Sequence, residues 1–210
     1  MNSPFDELTK FQINKLFHLL GVHIYKYNKN QEILPTIKSE DIVAIVTSGE
    51  AQIIMTDYNG NEIVIENLSK DSVFGSSISG TDSDDYQIIA KEDTEVVIID
   101  YKKLINSSNL KYSYFNTFFR NLFDIINTKI KEKNIRIKIL EKKQIREKLL
   151  EYFELKYKET NSRVLYLPFT LKDLADYIAV NRSAMFRELK NLKEEKFIAI
   201  KGKRITLLYK

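Results

Sequence analysis

Residues 170–192 constrain the fold of this 210-residue chain more than any other stretch, because their apolar positions predict two short helices joined by a tight turn. Residues three or four apart share one face of a helix, and two such apolar sets lie on either side of Val180. These sets are Leu171, Leu174, Ala175 and Ile178, then Met185, Leu189 and Leu192. With Thr170 as N-cap and Asp173 as the capping-box acid, the stretch predicts a helix-turn-helix.

A basic segment follows the second helix. The run FIAIKGKRITLLY predicts a two-stranded wing with Lys201, Gly202, Lys203 and Arg204 at its tip. The net charge of +4 hides an asymmetry: residues 141–210 hold 17 Lys and Arg against 10 Asp and Glu, or +7, and the first 140 residues hold 16 against 19, or −3. Such an excess is typical of a phosphate-binding surface, although it also keeps many domains soluble.

The outer face of the second helix predicts contacts with double-stranded DNA. Arg182 and Arg187 are the candidates for base or phosphate contacts, since a guanidinium can bond bidentately to guanine O6 and N7. Phe186 could contact a thymine methyl, but we favour a role in the interface between the two helices. The full predicted DNA-binding set is Thr170, Lys172, Asn181, Arg182, Ser183, Phe186, Arg187, Lys190, Lys201, Lys203 and Arg204. Of these, Thr170, Lys172, Lys190, Lys201, Lys203 and Arg204 are assigned to phosphates.

The first half of the chain is rich in short strands. After a predicted helix over residues 5–20 that stops at Gly21, the runs HIYKY, EIL, IVAIV, AQIIMT, EIVIENL, YQIIA and EVVIID predict seven or eight strands. Asn59-Gly60 is a strong hairpin signal, because both residues tolerate positive φ. Such a set of strands indicates a small barrel or double-sheet roll.

A helix over about residues 112–139 follows the strands without a Gly or Pro, and a second helix is predicted over residues 143–157. The long helix has a broad apolar stripe, which predicts pairing with a second copy of the chain; packing wholly within one chain is the alternative. The predicted dimerisation residues are Phe115, Phe118, Phe119, Leu122, Ile125, Ile126 and Ile130.

Composition excludes several kinds of site. The chain has no cysteine, so disulfides, thiolate nucleophiles and iron-sulfur clusters are ruled out. Its two histidines, His18 and His23, lack a nearby carboxylate cluster and favour no metal site. No signal peptide or apolar run of roughly 18 residues is present, which predicts a cytoplasmic protein without a membrane partner.

Taken in order, barrel, long helix and winged helix resemble the Crp/Fnr family of bacterial transcription regulators. Asn181-Arg182-Ser183 stands where the family's recognition helix starts, and Ser183 replaces a glutamate that many relatives carry. Ser48-Gly49-Glu50, Asn59-Gly60 and Phe74-Gly75 resemble the family's barrel landmarks. The resemblance implies a homodimeric regulator that binds an inverted repeat, with a small-molecule effector and RNA polymerase as candidate partners.

The resemblance also marks a candidate effector pocket, Phe74, Gly75, Ser76, Ser77 and Tyr86. Members that bind cyclic AMP hold its phosphate with an arginine, and here the acidic run at residues 82–85 stands in that region. A carboxylate repels a phosphate, so a cyclic nucleotide is disfavoured. The run is expected to be a solvated loop, with calcium as the alternative. No cofactor is predicted, and haem is disfavoured because neither histidine falls in a region marked as a pocket.

The expected fold class is α+β. We expect an effector-type, jelly-roll-like (double-stranded β-helix) barrel over residues 1–110, a dimerisation helix over 111–140 and a DNA-binding winged helix over 141–210. The predicted function is a sequence-specific transcription regulator with an unknown effector, and not an enzyme, since a cupin-like barrel would need clustered histidine ligands. The alternative is a ligand-binding or protein-interaction module whose winged helix does not bind DNA.

Overall fold

A computed structural model of the chain describes residues 3–33, 41–56, 58, 60, 62–75, 86–168 and 170–209. The chain divides into two compact units, Met1–Thr128 and Lys129–Lys210. The helix predicted as a separate middle part is shared between these units, and the three-part division by function stays a prediction. Within the described ranges, no helix is long and apolar enough to cross a membrane.

The first unit contains two antiparallel sheets. In its described part, one sheet has the order β1-β7-β2-β5 and the other β4-β3-β6. The predicted strands are confirmed except at residues 32–34, where Glu32 forms only an isolated bridge to Ile89 and Leu34 lies outside the described residues. The strands are β1 (His23–Tyr27), β2 (Ile42–Ser48), β3 (Ala51–Thr56), β4 (Glu62–Leu68), β5 (Val73–Phe74), β6 (Tyr86–Ala90) and β7 (Thr94–Asp100).

Strands β2 and β7 are buried on both faces, because successive side chains of a strand point to opposite sides of the sheet. On β2, Ala44 and Val46 join the core with the three-stranded sheet, whereas Val43 and Ile45 face a second core formed with helices. The near-continuous apolar runs IVAIV and VVII therefore reflect a sheet covered on both sides.

Glycines with positive φ lie in two of the turns between described strands. β3 and β4 pair antiparallel up to Thr56 opposite Glu62, as the hairpin signal predicts. Gly60 in that turn has φ of 82°, and Asn59 lies outside the described residues. Between β2 and β3, Gly49 has φ of 83°, a conformation that favours glycine.

Helix α1 (Lys10–Leu20) starts later than predicted. Thr9 and Gln12 form a capping box that fixes the start, so residues 5–9 stay outside the helix. Gly21 ends α1 with a left-handed φ of 56°, as predicted. Short helices α2 (Tyr101–Leu104) and a 3-10 turn (Ser107–Lys111) lead from the barrel into α3 (Ser113–Leu140).

One face of α3 packs inside the first unit. Phe115, Phe118, Leu122 and Ile125 are buried with α1 and with the outer faces of β2 and β7. Their assignment to a partner interface is therefore wrong, because their side chains already fill the chain's own core. Sequence spacing alone could not separate this face from a neighbouring one.

A second face of α3 is exposed. Phe119, Phe123, Ile130 and Ile137 are between 37% and 56% exposed, and Ile126 is half-buried. Together with Lys133 they occur at spacings of four and three residues, the pattern of a coiled-coil seam. We name these six residues the seam; Phe123, Lys133 and Ile137 were not among the predicted dimerisation residues.

The second unit is a winged helix. Its elements are α4 (Ile145–Thr160), β8 (Val164–Tyr166), α5 (Leu171–Tyr177), α6 (Arg182–Glu194), β9 (Ile198–Lys201) and β10 (Arg204–Leu207). The sheet has the order β8-β10-β9, so β8, which lies in the run RVLYLPF that also predicts a short strand, pairs with the wing hairpin. The predicted apolar positions of α5 and α6 lie in or against one core, which also takes Ile139 from the end of α3.

Candidate nucleic-acid interface

A capping box fixes the start of α5. The Thr170 hydroxyl donates to Asp173 Oδ2 at 2.7 Å, and Asp173 N donates back to Thr170 Oγ1 at 3.3 Å. Thr170 N also donates to Asp173 Oδ2, at 3.0 Å. Both donors of Thr170 are therefore used within the helix start, and a phosphate contact by this residue would have to break the cap.

Charges converge on the same carboxylate. The hydrogen bonds from Thr170 are the main cause that lowers the pKa of Asp173, and the positive charges of Arg182 and Lys203 lower it further. These two cations belong to α6 and to the wing. The start of α5 therefore lies close to both of the elements that carry the predicted DNA contacts.

The turn between α5 and α6 depends on Ala179. This residue has φ of 50°, in the left-handed region that alanine seldom adopts. It lets Val180 N donate to Ala175 O at 3.0 Å, while the Val180 side chain packs against the core. Sequence reasoning missed Ala179, because nothing in the identity of an alanine signals a positive φ.

The buried and exposed faces of α6 match the predicted division. Met185, Leu189 and Leu192 are buried. Asn181 is the N-cap and accepts from Ala184 N at 3.1 Å through Oδ1, so only its amide nitrogen remains to donate outward. The predicted contact residues on the other face are all exposed: Arg182, Ser183, Phe186, Arg187 and Lys190.

Phe186 does not complete the interface between the two helices. Its side chain is 42% exposed, and it is absent from the packed core of the second unit. The preferred assignment is therefore wrong: α6 turns this ring outward, because Met185 and Leu189 occupy the core-facing positions on either side of it. An apolar contact with the DNA stays as the prediction for Phe186.

Arg182 is held by an acidic residue of the preceding helix. Its Nε donates to Asp176 Oδ1 at 3.3 Å and its Nη2 donates to Asp176 Oδ2 at 2.7 Å. This bidentate pair is also the main cause that raises the pKa of Arg182. Both side chains are more than half exposed, so solvent screens the pair. Asp176 was missed, since a contact six residues away depends on the turn geometry.

Three cations outside the helix-turn-helix fix its position. Arg136 Nε donates to Tyr177 O at 3.2 Å, and Lys148 Nζ donates to Ile178 O at 3.2 Å. These carbonyls end α5, where a helix has unpaired acceptors that favour positive charge. Arg146 contacts the second helix instead: its guanidinium forms a bidentate pair with Glu195, directly after the last residue of α6.

The tip of the wing is basic and exposed. Lys201, Lys203 and Arg204 surround Gly202, which has φ of 60°, and Arg204 stands opposite both Lys201 and Tyr166 in the sheet. Leu167 N donates to Lys203 O at 3.0 Å, which holds the tip against the chain that leads into α5. Lys172 is also exposed.

The candidate effector pocket is not brought together in the described residues. Phe74 is fully buried between the sheets, so its ring supports the core and cannot line an open pocket. Gly75 has φ of 140°, and a side chain there would meet Ile42 O. Ser76, Ser77 and residues 82–85 lie outside the described residues, and Tyr86 packs at the edge of the inter-sheet core. In the described part of the chain, no group of three or more potential metal ligands occurs.

Two family models match the chain. The cyclic nucleotide-binding domain matches residues 25–107, and the Crp-like helix-turn-helix domain matches residues 143–209. No curated protein sequence matches significantly.

Solved structures share the fold over most of the chain. A variant of CooA from Carboxydothermus hydrogenoformans has 17% identity and a TM-score of 0.57, covering 97% of this chain and 88% of its own. Catabolite activator protein from Thermus thermophilus has 18% identity and a TM-score of 0.52, and the match covers 98% of this chain and 93% of its own. A cyclic nucleotide-binding domain containing protein from Listeria monocytogenes has 16% identity and a TM-score of 0.56, and the match covers 93% of this chain and 97% of its own. At these identities the structures establish the fold alone.

Proposed function

Because the chain belongs to the Crp/Fnr family of transcription regulators, we propose that it binds an inverted-repeat DNA site as a homodimer, with α6 in the major groove and the wing on the flanking phosphates. The exposed face of α6 carries the proposal, since it presents two arginines, a lysine and a phenylalanine opposite a fully buried face. In a dimer, two such helices would enter major grooves about 34 Å apart.

Substitutions distinguish base contacts from phosphate contacts. We expect Arg187→Ala to cost about 1–3 kcal/mol on the selected site and to relax base preference at one position of each half-site. Lys203→Ala should weaken binding to all sequences alike and lower the salt slope by about one. Binding constants measured across salt concentrations, on a site selected from a randomised duplex library, test both. Unchanged binding in both variants would contradict the assignment, and no binding at low salt would favour the protein-interaction module.

The proposed dimer uses the seam of α3. The seam leaves apolar side chains exposed at regular spacing on a 28-residue helix. A second copy of the same face would bury them by knobs-into-holes packing. Phe119, Ile126 and Ile130 are the members of the predicted dimerisation set that remain available for this interface.

For the effector, we propose an uncharged or cationic ligand, or none. The missing phosphate arginine and the acidic run at residues 82–85 support this, since both disfavour an anionic ligand. Mass spectrometry of whatever co-purifies with the protein tests it. Recovery of cyclic AMP would overturn the proposal.

A further inference from the structure

Arg182 has two edges through which it can bond, and Asp176 occupies one of them. The carboxylate takes Nε and Nη2, the side-on edge of the guanidinium. Within the described part of the chain, the hydrogens of Nη1 and the second hydrogen of Nη2 have no acceptor. These lie along the end-on edge, which has the spacing that guanine O6 and N7 accept in the major groove.

The pair also changes what attracts Arg182 to DNA. The positive charge of Arg182 and the negative charge of Asp176 together sum to almost no net charge, so the pair gains little from phosphates, which attract mainly by charge. Arg187 differs: among the described residues, it has no acidic partner within ion-pair distance. Of the two arginines on the face of α6, Arg182 is therefore the one that is oriented and neutralised before any DNA arrives.

Resting on the proposed DNA-binding function, we propose that Asp176 is a specificity-determining positioning residue, which holds the end-on edge of Arg182 toward the major groove so that Arg182 reads guanine. Asp176 itself touches no base. Its carboxylate restricts a side chain with many rotamers to one bonding direction, and ordering of this kind is a cost that free arginines must meet on binding. It also repels phosphates, which weakens the part of binding that does not depend on sequence.

The test compares base preference in four variants. The binding site is first selected from a library with about 20 randomised base pairs, enough for two half-sites one turn apart. Affinities are then measured at one salt concentration for the selected site, for each single base-pair change in a half-site, and for unrelated duplex. We expect Asp176→Asn to lower the preference for guanine at one position by about five- to tenfold and to strengthen binding to unrelated duplex.

Arg182→Lys keeps the charge but loses the planar fork, so it should lose the same preference at the same position. In the double variant, Asp176→Asn should have no further effect on that preference. Glu194→Gln is the matched control, because Glu194 is an exposed acid on α6 that pairs with Lys190, a predicted phosphate contact. It should strengthen binding to unrelated duplex and leave base preference unchanged.

Thermal melting checks that the variants fold, and an exposed ion pair contributes little to stability. Three outcomes would overturn this inference and leave the proposed function intact. Asp176→Asn would keep the guanine preference, Glu194→Gln would lose as much of that preference as Asp176→Asn does, or Asp176→Asn would still change it in the Arg182→Lys background. A wild-type protein that binds no duplex selectively would overturn the proposed function together with this inference. The two failures are therefore distinguishable.

Discussion

At the scale of single residues, glycines with positive φ differ in what surrounds them. A Cβ on Gly49 would meet the backbone of Asp93 and would lie 2.7 Å from Thr94 Cα, whereas a Cβ on Gly202 would have nothing within 4 Å. Both residues have left-handed φ, so both substitutions carry conformational strain. Only at Gly49 must the backbone of a neighbouring segment also move.

We therefore expect Gly49→Ala to lower the free energy of unfolding by about 3 kcal/mol or more. Gly202→Ala should lower it by only about 1 kcal/mol, from strain alone. Denaturant unfolding of both variants measures the difference. Equal losses would show that the contact with Asp93 and Thr94 relaxes at no cost.

The same scale shows where sequence reasoning ends. Gly49 could be singled out because glycine identity signals a turn, and the buried face of α6 followed from residue spacing. The pair between Asp176 and Arg182 could not be derived, since the two residues belong to different helices and meet across a turn in which Ala179 has a positive φ that its identity does not predict. Phe186 was misassigned because spacing on a helix leaves a residue beside the core face ambiguous.

At the scale of elements, the capping box of α5 predicts a dependence on pH. The folded-state pKa of Asp173 lies below its usual value of 3.8, so its contribution to stability is present above that value and is lost as pH falls through the lowered pKa. Thr170→Val removes the hydrogen bond from the hydroxyl, and Thr170→Ser retains it.

NMR titration of the Asp173 carboxyl group should show its pKa move upward in Thr170→Val and stay lowered in Thr170→Ser. The valine variant should also lose about 1 kcal/mol of stability at neutral pH, the usual cost of a lost N-cap, with a smaller loss once the pH has fallen through the lowered pKa of Asp173. A pKa that is the same in both variants would show that the Thr170 hydroxyl is not the cause of the shift.

Helix α3 shows how far a periodic pattern can be interpreted. The sequence predicted its length closely, because no Gly or Pro interrupts residues 113–140. The sequence could not separate the face of α3 that packs in the chain's own core from the seam, because two adjoining faces of this helix both carry apolar residues. The assignment to barrel or partner required the positions of β2, β7 and α1, which are distant in sequence.

At the scale of the whole molecule, the seam predicts the oligomeric state. Phe123 and Ile130 are 56% and 50% exposed, and a charge at either position would be buried in a paired helix. We expect Phe123→Glu and Ile130→Glu to weaken self-association by on the order of 100-fold. Analytical ultracentrifugation across protein concentrations measures this.

Phe11→Glu is the control for this comparison. Phe11 is 67% exposed on α1 and is not part of the seam, so the same kind of change should leave association intact. Dissociation by Phe11→Glu, or an unchanged dimer in both seam variants, would contradict the proposed interface.

The end of α3 gives the second unit a vulnerable point. Lys142 and Lys143 lie exposed in the break between α3 and α4, where trypsin can cut. Cleavage there would leave Ile135 and Ile139 on the amino-terminal fragment. In the intact chain Ile139 is fully buried in the winged-helix core, and Ile135 packs against that core. Losing a buried isoleucine from a core costs about 2–5 kcal/mol. A single proteolytic nick would thus destabilise the winged helix, and the smallest fragment that retains this core must begin before Ile135.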